Sequence, residues 1–239
     1  MFGAIIVAAG QGRRMGGTTP KQFIEIEGKS VLTHTVEKFL GMGNFFGRIA
    51  VMVPSESVEP CRMEFSRYGC EHSEHLLFAA GGSQRQDSVY KGLLSLGQDV
   101  ETVVIHDGVR PFASTGLIKK LALLAQKVGA AIPAISLKDT LKEVDGEGRV
   151  LRTLPREGLY LVQTPQCFRR EIIWDAHRKA ARDEYHATDD AMLVENCGYT
   201  VMTVPGEPCN IKLTTVEDLF WARMFLKRES KDVQDRNRL

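Results

Sequence analysis

Hydrophobic and polar positions along this chain follow two periods, and the two periods take turns. Short apolar runs bounded by turn residues predict strands at Ala4–Ala8, Arg48–Val53, Leu76–Ala80, Thr102–His106, Ala130–Ile135, Leu159–Gln163 and Thr200–Val204. Between them, amphipathic spacing predicts helices over Val31–Leu40, Val58–Tyr68, Gln86–Leu96, Thr115–Val128, Arg170–Ala181 and Asp189–Cys197. A last helix, Val216–Leu226, opens on Thr214 with Glu217 three residues on, the spacing of a capping box. Beyond it, Lys227–Leu239 is mostly charged or polar and predicts a frayed tail. Strand–helix alternation implies right-handed βαβ units. The predicted fold is α/β, a Rossmann-like doubly wound, mostly parallel sheet with helices on both faces, built as one domain over 1–239.

One segment departs from this rhythm. Asp139–Thr153 shows β-type alternation on each side of Asp145-Gly146-Glu147-Gly148, which reads as a hairpin. It reads as polar on both faces, so it is unsuited to the core and predicts an arm, 137–156, projecting from the sheet. A hairpin without a core of its own needs something to pack on, and a second copy of the chain is the simplest partner.

The first strand runs into Ala8-Ala9-Gly10-Gln11-Gly12-Arg13-Arg14-Met15-Gly16-Gly17-Thr18-Thr19-Pro20-Lys21-Gln22-Phe23. Glycines let backbone N–H groups approach a ligand, and the cations call for an anion, so a phosphate chain satisfies both. Two familiar phosphate loops do not fit. A dinucleotide fingerprint needs glycine where Met15 stands and an unbroken helix afterwards, which Gly16, Gly17 and Pro20 forbid. A Walker A loop ending at Gly28-Lys29-Ser30 would need glycine at Phe23. A solvated basic loop is the plain alternative. Against it stands position, since ligands of doubly wound sheets bind at the carboxyl ends of the strands.

Two further stretches sit at such ends. In Gly81-Gly82-Ser83-Gln84-Arg85-Gln86-Asp87-Ser88-Val89 the glycines permit close approach, and Ser88 lies near a helix start; the segment either contacts a base or ribose or is a capped turn. The strand at Thr102 leads into His106-Asp107-Gly108-Val109-Arg110-Pro111. Asp107 there is a hard-oxygen ligand suited to Mg²⁺. Arg110 either anchors a substrate phosphate or pairs with Asp107, and His106 is expected to pack rather than to titrate.

Composition narrows the partners. The chain has 239 residues, 43% hydrophobic and 26% charged, with a formal net charge of +1, which argues against bulk capture of nucleic acid or of an anionic membrane. No basic leader precedes the first strand and no apolar run reaches membrane-spanning length, so neither secretion nor insertion is expected. Five scattered cysteines without a Cys-x-x-Cys pair suit reduced thiols in a cytoplasm. Cys70-Glu71-His72-Ser73-Glu74-His75 is expected to be a surface connection rather than a metal site.

The loop with Ala8-Ala9-Gly10, Gly12, Arg14-Met15 and Pro20-Lys21-Gln22 resembles the signature of nucleotidyltransferases acting on sugar and polyol phosphates. Adding Gly81–Val89, Asp107–Arg110, Leu159-Tyr160-Leu161-Val162-Gln163-Thr164-Pro165-Gln166, Ala187-Thr188-Asp189-Asp190 and Gly206–Lys212 narrows the resemblance. It becomes that to the 2-C-methyl-D-erythritol 4-phosphate cytidylyltransferases of non-mevalonate isoprenoid biosynthesis, from about residue 3 to about residue 226. The resemblance implies CTP and a polyol phosphate as substrates, Mg²⁺ as cofactor and a homodimer whose arms interlock. It puts Arg14, Lys21 and Lys212 at catalytic, triphosphate-binding positions, with Arg156 fixing the substrate phosphate. Ala9, Gly10, Gly12, Gly82, Ser88 and Gly108 fall at nucleotide-binding positions. Asp107, Arg110, Thr140, Arg156, Thr164 and Thr188 fall at polyol-phosphate positions, Asp107 being also the metal candidate. The chain differs from the common pattern at Ser83, at Gly108-Val109 and at Cys209. Ribitol-5-phosphate cytidylyltransferases share much of this pattern, but Leu154-Pro155-Arg156-Glu157-Gly158 and Arg85–Ser88 look more like the methylerythritol family. A non-catalytic nucleotide binder is the other class, and it has no need of cations around an α-phosphate.

Overall fold

The structure is a computed structural model that describes residues 1–10, 19–67 and 75–236, with side chains as far as residue 227. In chain order the first half comprises β1 (Phe2–Val7), β2 (Glu25–Ile26), β3 (Lys29–Ser30), α1 (Val31–Leu40), β4 (Phe46–Val53), α2 (Val58–Arg67), β5 (Leu76–Ala80), α3 (Arg85–Ser95) and β6 (Thr102–Asp107). The second half comprises α4 (Thr115–Val128), β7 (Ala130–Ser136), β8 (Leu141–Val144), β9 (Val150–Leu154), β10 (Tyr160–Val162), β11 (Gln166–Arg169), α5 (Arg170–Arg182), α6 (Asp190–Glu195), β12 (Met202–Pro205) and α7 (Val216–Arg236).

The main sheet runs β5-β4-β1-β6-β11-β7, with β10 and β12 also pairing β7. Strands β5, β4, β1 and β6 are mutually parallel, and β12 is parallel to β7, whereas β11 and β10 run antiparallel to their neighbours. Central position explains the unbroken apolar run of β1. Ala4 and Ile6 enter the cluster shared with α1, α2 and α4, while Ile5 enters the cluster shared with α3, α5 and α6 on the opposite face. Register aligns Val7 with Met52 on one side and Asp107 on the other, so the chain leaves β1 and β6 side by side.

Local chemistry sets the element ends. Ser30 and Ser114 cap α1 and α4 by accepting the N–H groups of Thr33 (3.1 Å) and Leu117 (3.0 Å). At α7 the cap lies one residue later than the sequence suggests. Asp218 Oδ2 accepts the Thr214 and Thr215 N–H groups at 2.7 and 2.8 Å, and Thr215 Oγ1 accepts the Asp218 N–H at 3.3 Å, so Asp218 takes the role expected of Glu217.

Three further expectations are corrected. The helix does not stop at Leu226 but runs to Arg236, because the charged tail contains good helix formers and no breaker. The expected strand Leu159–Gln163 is followed by a second one, β11, beyond a cis Thr164–Pro165 bond; its four residues, of which only Cys167 and Phe168 are apolar, are too few to announce a strand beside a proline. Residues 25–30 form a small hairpin turned by Glu27 and Gly28, both with positive φ. The segment 139–153 does form a hairpin, β8 with β9, as a sheet of its own. Its turn is held by Asp145 Oδ1, which accepts the Glu147 and Arg149 N–H groups at 3.0 Å. It is not polar on both faces, however, since Val144, Val150 and Leu151 are exposed on it.

Candidate functional site

A cleft of about 350 Å³ opens where β1, β5 and β6 end, lined by Ala9, Gly10, Lys21, Gln22, Gly82, Arg85, Ser88, Asp107 and Lys212 among others. Its first wall is the start of the glycine loop. Buried Gln22 donates from Nε2 to the carbonyls of Ala8 and Gly10, both at 2.9 Å, and so staples the loop's departure from β1 to its return. The single turn Lys21–Phe23 that carries Gln22 also sets Lys21 at the cleft. Gly12 and Arg14 lie outside the described residues, as do Cys70 and His72.

The second wall is the turn from β5 into α3. Ser88 Oγ accepts the Gly82 N–H at 3.0 Å and donates to the Gln84 carbonyl at 3.1 Å, which makes this stretch a capped turn and a cleft wall at once. A Cβ on Gly82 would lie 2.1 Å from that of Asp87, so only glycine fits here.

The floor is Asp107. Its Oδ2 receives Lys212 Nζ at 2.8 Å, with Arg110 Nε 3.7 Å away, and its Oδ1 accepts Arg85 Nε at 3.0 Å. Burial alone would raise the carboxyl's pKa, but the Arg85 and Lys212 charges outweigh it and hold it far below the usual carboxylate range. Beside it, His106 is pushed down to about 4, chiefly by burial. Its Nε2–H donates to the Arg110 carbonyl (3.0 Å), leaving Nδ1 to accept the Thr164 hydroxyl (3.1 Å). The same hydroxyl oxygen accepts the Asp107 N–H at 3.0 Å. His106 is therefore a neutral strut.

Lys212 reaches Asp107 because the segment before it is pinned. Asn210 donates from Nδ2 to the Thr164 carbonyl at 2.8 Å, and its own carbonyl accepts from Arg110 Nη1 and Gln163 Nε2 at 2.8 and 3.0 Å. The Leu213 N–H then bonds the Val109 carbonyl at 2.9 Å. Gln166 serves the neighbouring turn, its Oε1 accepting the N–H groups of Asp190 and Ala191 at 3.1 Å. The Gln163-Thr164-Pro165-Gln166 and Asn210-Ile211-Lys212 motifs thus build one buried network.

Among the predicted residues, Ala9, Gly10, Lys21, Gly82, Ser88, Asp107 and Lys212 line one cleft. Arg110 and Thr164 stand directly behind Asp107, and Gly108 packs against Ala8 and Leu32 under the loop. Thr140, Arg156 and Thr188 are exposed and are not among the residues lining this cleft. Arg156 Nη1 donates to the Lys138 carbonyl at the base of the arm. Sequence reasoning assigned no role to Gln22, Arg85 or Asp190, although each lies inside a motif it had singled out. Arg85 Nη1 donates to Asp190 Oδ2 at 2.7 Å, a pairing between the starts of α3 and α6 on one face of the sheet that no local pattern encodes.

Among the described residues no group of three or more His, Cys, Asp or Glu could hold a metal ion. Asp107 is the one carboxylate among the described residues lining the cleft, so these residues offer a divalent ion a single carboxylate ligand. That donor set suits a metal brought in on a polyphosphate rather than one resident in the protein.

Comparison with known proteins agrees along the whole chain. The sequence model of the 2-C-methyl-D-erythritol 4-phosphate cytidylyltransferase family matches residues 2–228. The enzyme of that name from Syntrophus aciditrophicus (strain SB) is 44% identical over 230 residues, covering 95% of this chain and 96% of its own. The crystal structure of 4-diphosphocytidyl-2C-methyl-D-erythritol synthase from Anaerococcus prevotii superposes with a TM-score of 0.81 at 32% identity, covering 95% of this chain and 98% of its own. The cytidylyltransferase structure from Thermus thermophilus gives 0.76 at 32% identity, over 93% and 98%.

Proposed function

This chain belongs to the 2-C-methyl-D-erythritol 4-phosphate cytidylyltransferase family, and we propose how its residues divide the work of that reaction. It transfers CMP from CTP to 2-C-methyl-D-erythritol 4-phosphate, giving 4-diphosphocytidyl-2-C-methylerythritol and pyrophosphate. The ribitol-5-phosphate alternative is not favoured.

A phosphate-monoester oxygen of the polyol phosphate attacks the α-phosphorus of CTP. The new P–O bond forms as the bond to the β-phosphate oxygen breaks. The nucleophile ionises with a second pKa of about 6, so it needs no general base. A neutral, buried His106 behind the floor is in keeping with that. Catalysis is positioning plus stabilisation of charge on the pentavalent phosphorus. Lys21 and Lys212 bracket the α-phosphate, while Arg14 and the loop at Gly12 hold the departing pyrophosphate. Ala9, Gly10, Gly82, Ser88 and Gly108 hold the cytidine. Asp107, Arg110, Thr140, Arg156, Thr164 and Thr188 receive the polyol phosphate, Arg156 through its bidentate fork. Mg²⁺ arriving with CTP would be met by Asp107 and would neutralise phosphate charge.

The observation that carries this division is the convergence of Lys21 and Lys212 on one cleft with the glycine-loop residues Ala9 and Gly10. Thr140 and Arg156 flank the hairpin arm and stay outside that cleft, which supports a homodimer in which arm 137–156 completes the neighbouring subunit's site. No helix among the described residues is long and apolar enough to cross a membrane. Cys61, Cys167 and Cys197 stand outside any disulfide, which supports a cytoplasmic location.

Pyrophosphate release, measured for four nucleoside triphosphates crossed with methylerythritol and ribitol phosphates, tests the reading. Turnover is expected with CTP and methylerythritol phosphate, dependent on added Mg²⁺. Preference for ribitol phosphate would overturn the substrate, and full activity in chelator would overturn the metal.

A further inference from the structure

Behind the floor of the cleft, two carboxylates face one guanidinium. Arg85 gives Nε to Asp107 Oδ1 at 3.0 Å and Nη1 to Asp190 Oδ2 at 2.7 Å. The side chain of Asp190 is 1% exposed and that of Asp107 8%, so both charges are removed from water and depend on this bridge. Asp190 is itself fixed, because its N–H is bonded to Gln166 Oε1 at 3.1 Å and it begins α6. Across from it, His177 Nε2 is 3.8 Å from Asp190 Oδ1, too far for a hydrogen bond.

This geometry has a specific result. A guanidinium free to turn would grip Asp107 with two parallel N–H groups and occupy both carboxylate oxygens. Asp190 holds Nη1, and Nη2, the group beside Nε that could complete such a fork, is buried without a hydrogen-bond partner among the described residues, so Arg85 engages Asp107 through Nε alone. Oδ2 is left for Lys212 and Arg110. Charge alternates along the row Asp190, Arg85, Asp107, Lys212, and the last member is the cation proposed to meet the α-phosphate.

We propose that Arg85 and Asp190 are positioning residues for the transfer, setting the Asp107 carboxylate and through it the ammonium of Lys212. The inference rests on the role proposed above for Lys212. It differs from a merely structural role because the part of their contribution carried by the Asp107–Lys212 contact disappears once Lys212 is removed.

The test is a double-mutant cycle on the full chain, with Arg85→Lys and Asp190→Asn each made in wild-type and in Lys212→Ala backgrounds. Arg85→Lys keeps the charge but cannot span both carboxylates, and Asp190→Asn keeps the shape but removes the charge. Each single variant is expected to lower kcat by about tenfold or more while KM for CTP moves less than about twofold. In the Lys212→Ala background the same substitutions are expected to cost less than about threefold further. Full additivity would overturn the inference, as would unchanged kcat in both single variants. If Arg85→Lys fails to fold, Asp190→Asn carries the same cycle. Loss of folding in both would assign the pair to stability alone. If Lys212→Ala itself leaves kcat unchanged, the role of Lys212 falls; if Lys212→Ala is impaired and neither Arg85→Lys nor Asp190→Asn is, only this inference falls.

Discussion

The two halves of the site are built differently. On the nucleotide side, Lys21, Gly82, Ser88 and Lys212 come from distant stretches of sequence yet line one cleft, where Ser88 accepts the Gly82 N–H and Lys212 is paired with the buried Asp107. Of the residues assigned to the polyol phosphate, Asp107, Arg110 and Thr164 belong to the packed floor, whereas Thr140, Arg156 and Thr188 are exposed. A triphosphate carries high charge on a flexible chain, so a preorganised cradle suits it, whereas three of the groups proposed for the second substrate stand apart from the cleft. On the proposed division of roles, catalysis falls to the packed half and assembly to the open one.

The sharpest way to break that contrast is at the packed half. Lys21→Ala and Lys212→Ala should each lower kcat by about 10²–10³-fold, the scale of losing one preorganised donor, with smaller changes in KM for CTP. Steady-state kinetics with both substrates decide it, and an unchanged kcat for both would return the loop to solvated surface. Next comes the open half. Arg156→Ala should leave CTP binding intact and depress activity at low polyol phosphate. Mixed with Lys21→Ala chains after confirmed subunit exchange, it should recover roughly a quarter of wild-type activity. Half the dimers are then mixed, and one site of two carries neither lesion. No recovery would mean that each arm serves its own cleft.

Smaller effects probe how the packed half is held. Gln22→Ala removes two buried hydrogen bonds to the glycine loop and should cost about 1–3 kcal/mol in denaturant-unfolding stability, together with a raised KM for CTP. A stability loss with unaltered KM would detach the staple from the nucleotide. The smallest effect is expected at the start of α7. Asp218→Ala should cost about 1 kcal/mol by uncapping α7, read as a lowered thermal midpoint with kcat unchanged.

Much of this was legible because it is periodic. Val31–Leu40, Leu76–Ala80 and Thr115–Val128 end where their patterns end, since caps, glycines and apolar spacing coincide there. Motifs at strand ends likewise marked Lys21, Asp107 and Lys212. What stayed hidden depends on partners distant in sequence. Nothing near Asp190 announces that it will meet Arg85, and nothing near Gln22 announces the carbonyls of Ala8 and Gly10. β11 was missed because its pairing with β6 and β7, not its own four residues, makes it a strand. The length of α7 was missed because a polar helix carries no apolar stripe to count.

The close fit of Gly108 under the glycine loop also constrains how this protein can drift. A Cβ there would stand 2.9 Å from that of Ala8 and 3.0 Å from Leu32 Cδ1, with the Val7 carbonyl at 3.2 Å. Position 108 is therefore not an independent letter. Any lineage or library that places a larger residue there has to change position 8 or 32 in the same step or shift the strand end between them. Substitutions at these three sites are expected to be tolerated as sets and rejected singly, so selecting for a bulkier residue at 108 should select changes in its two neighbours along with it.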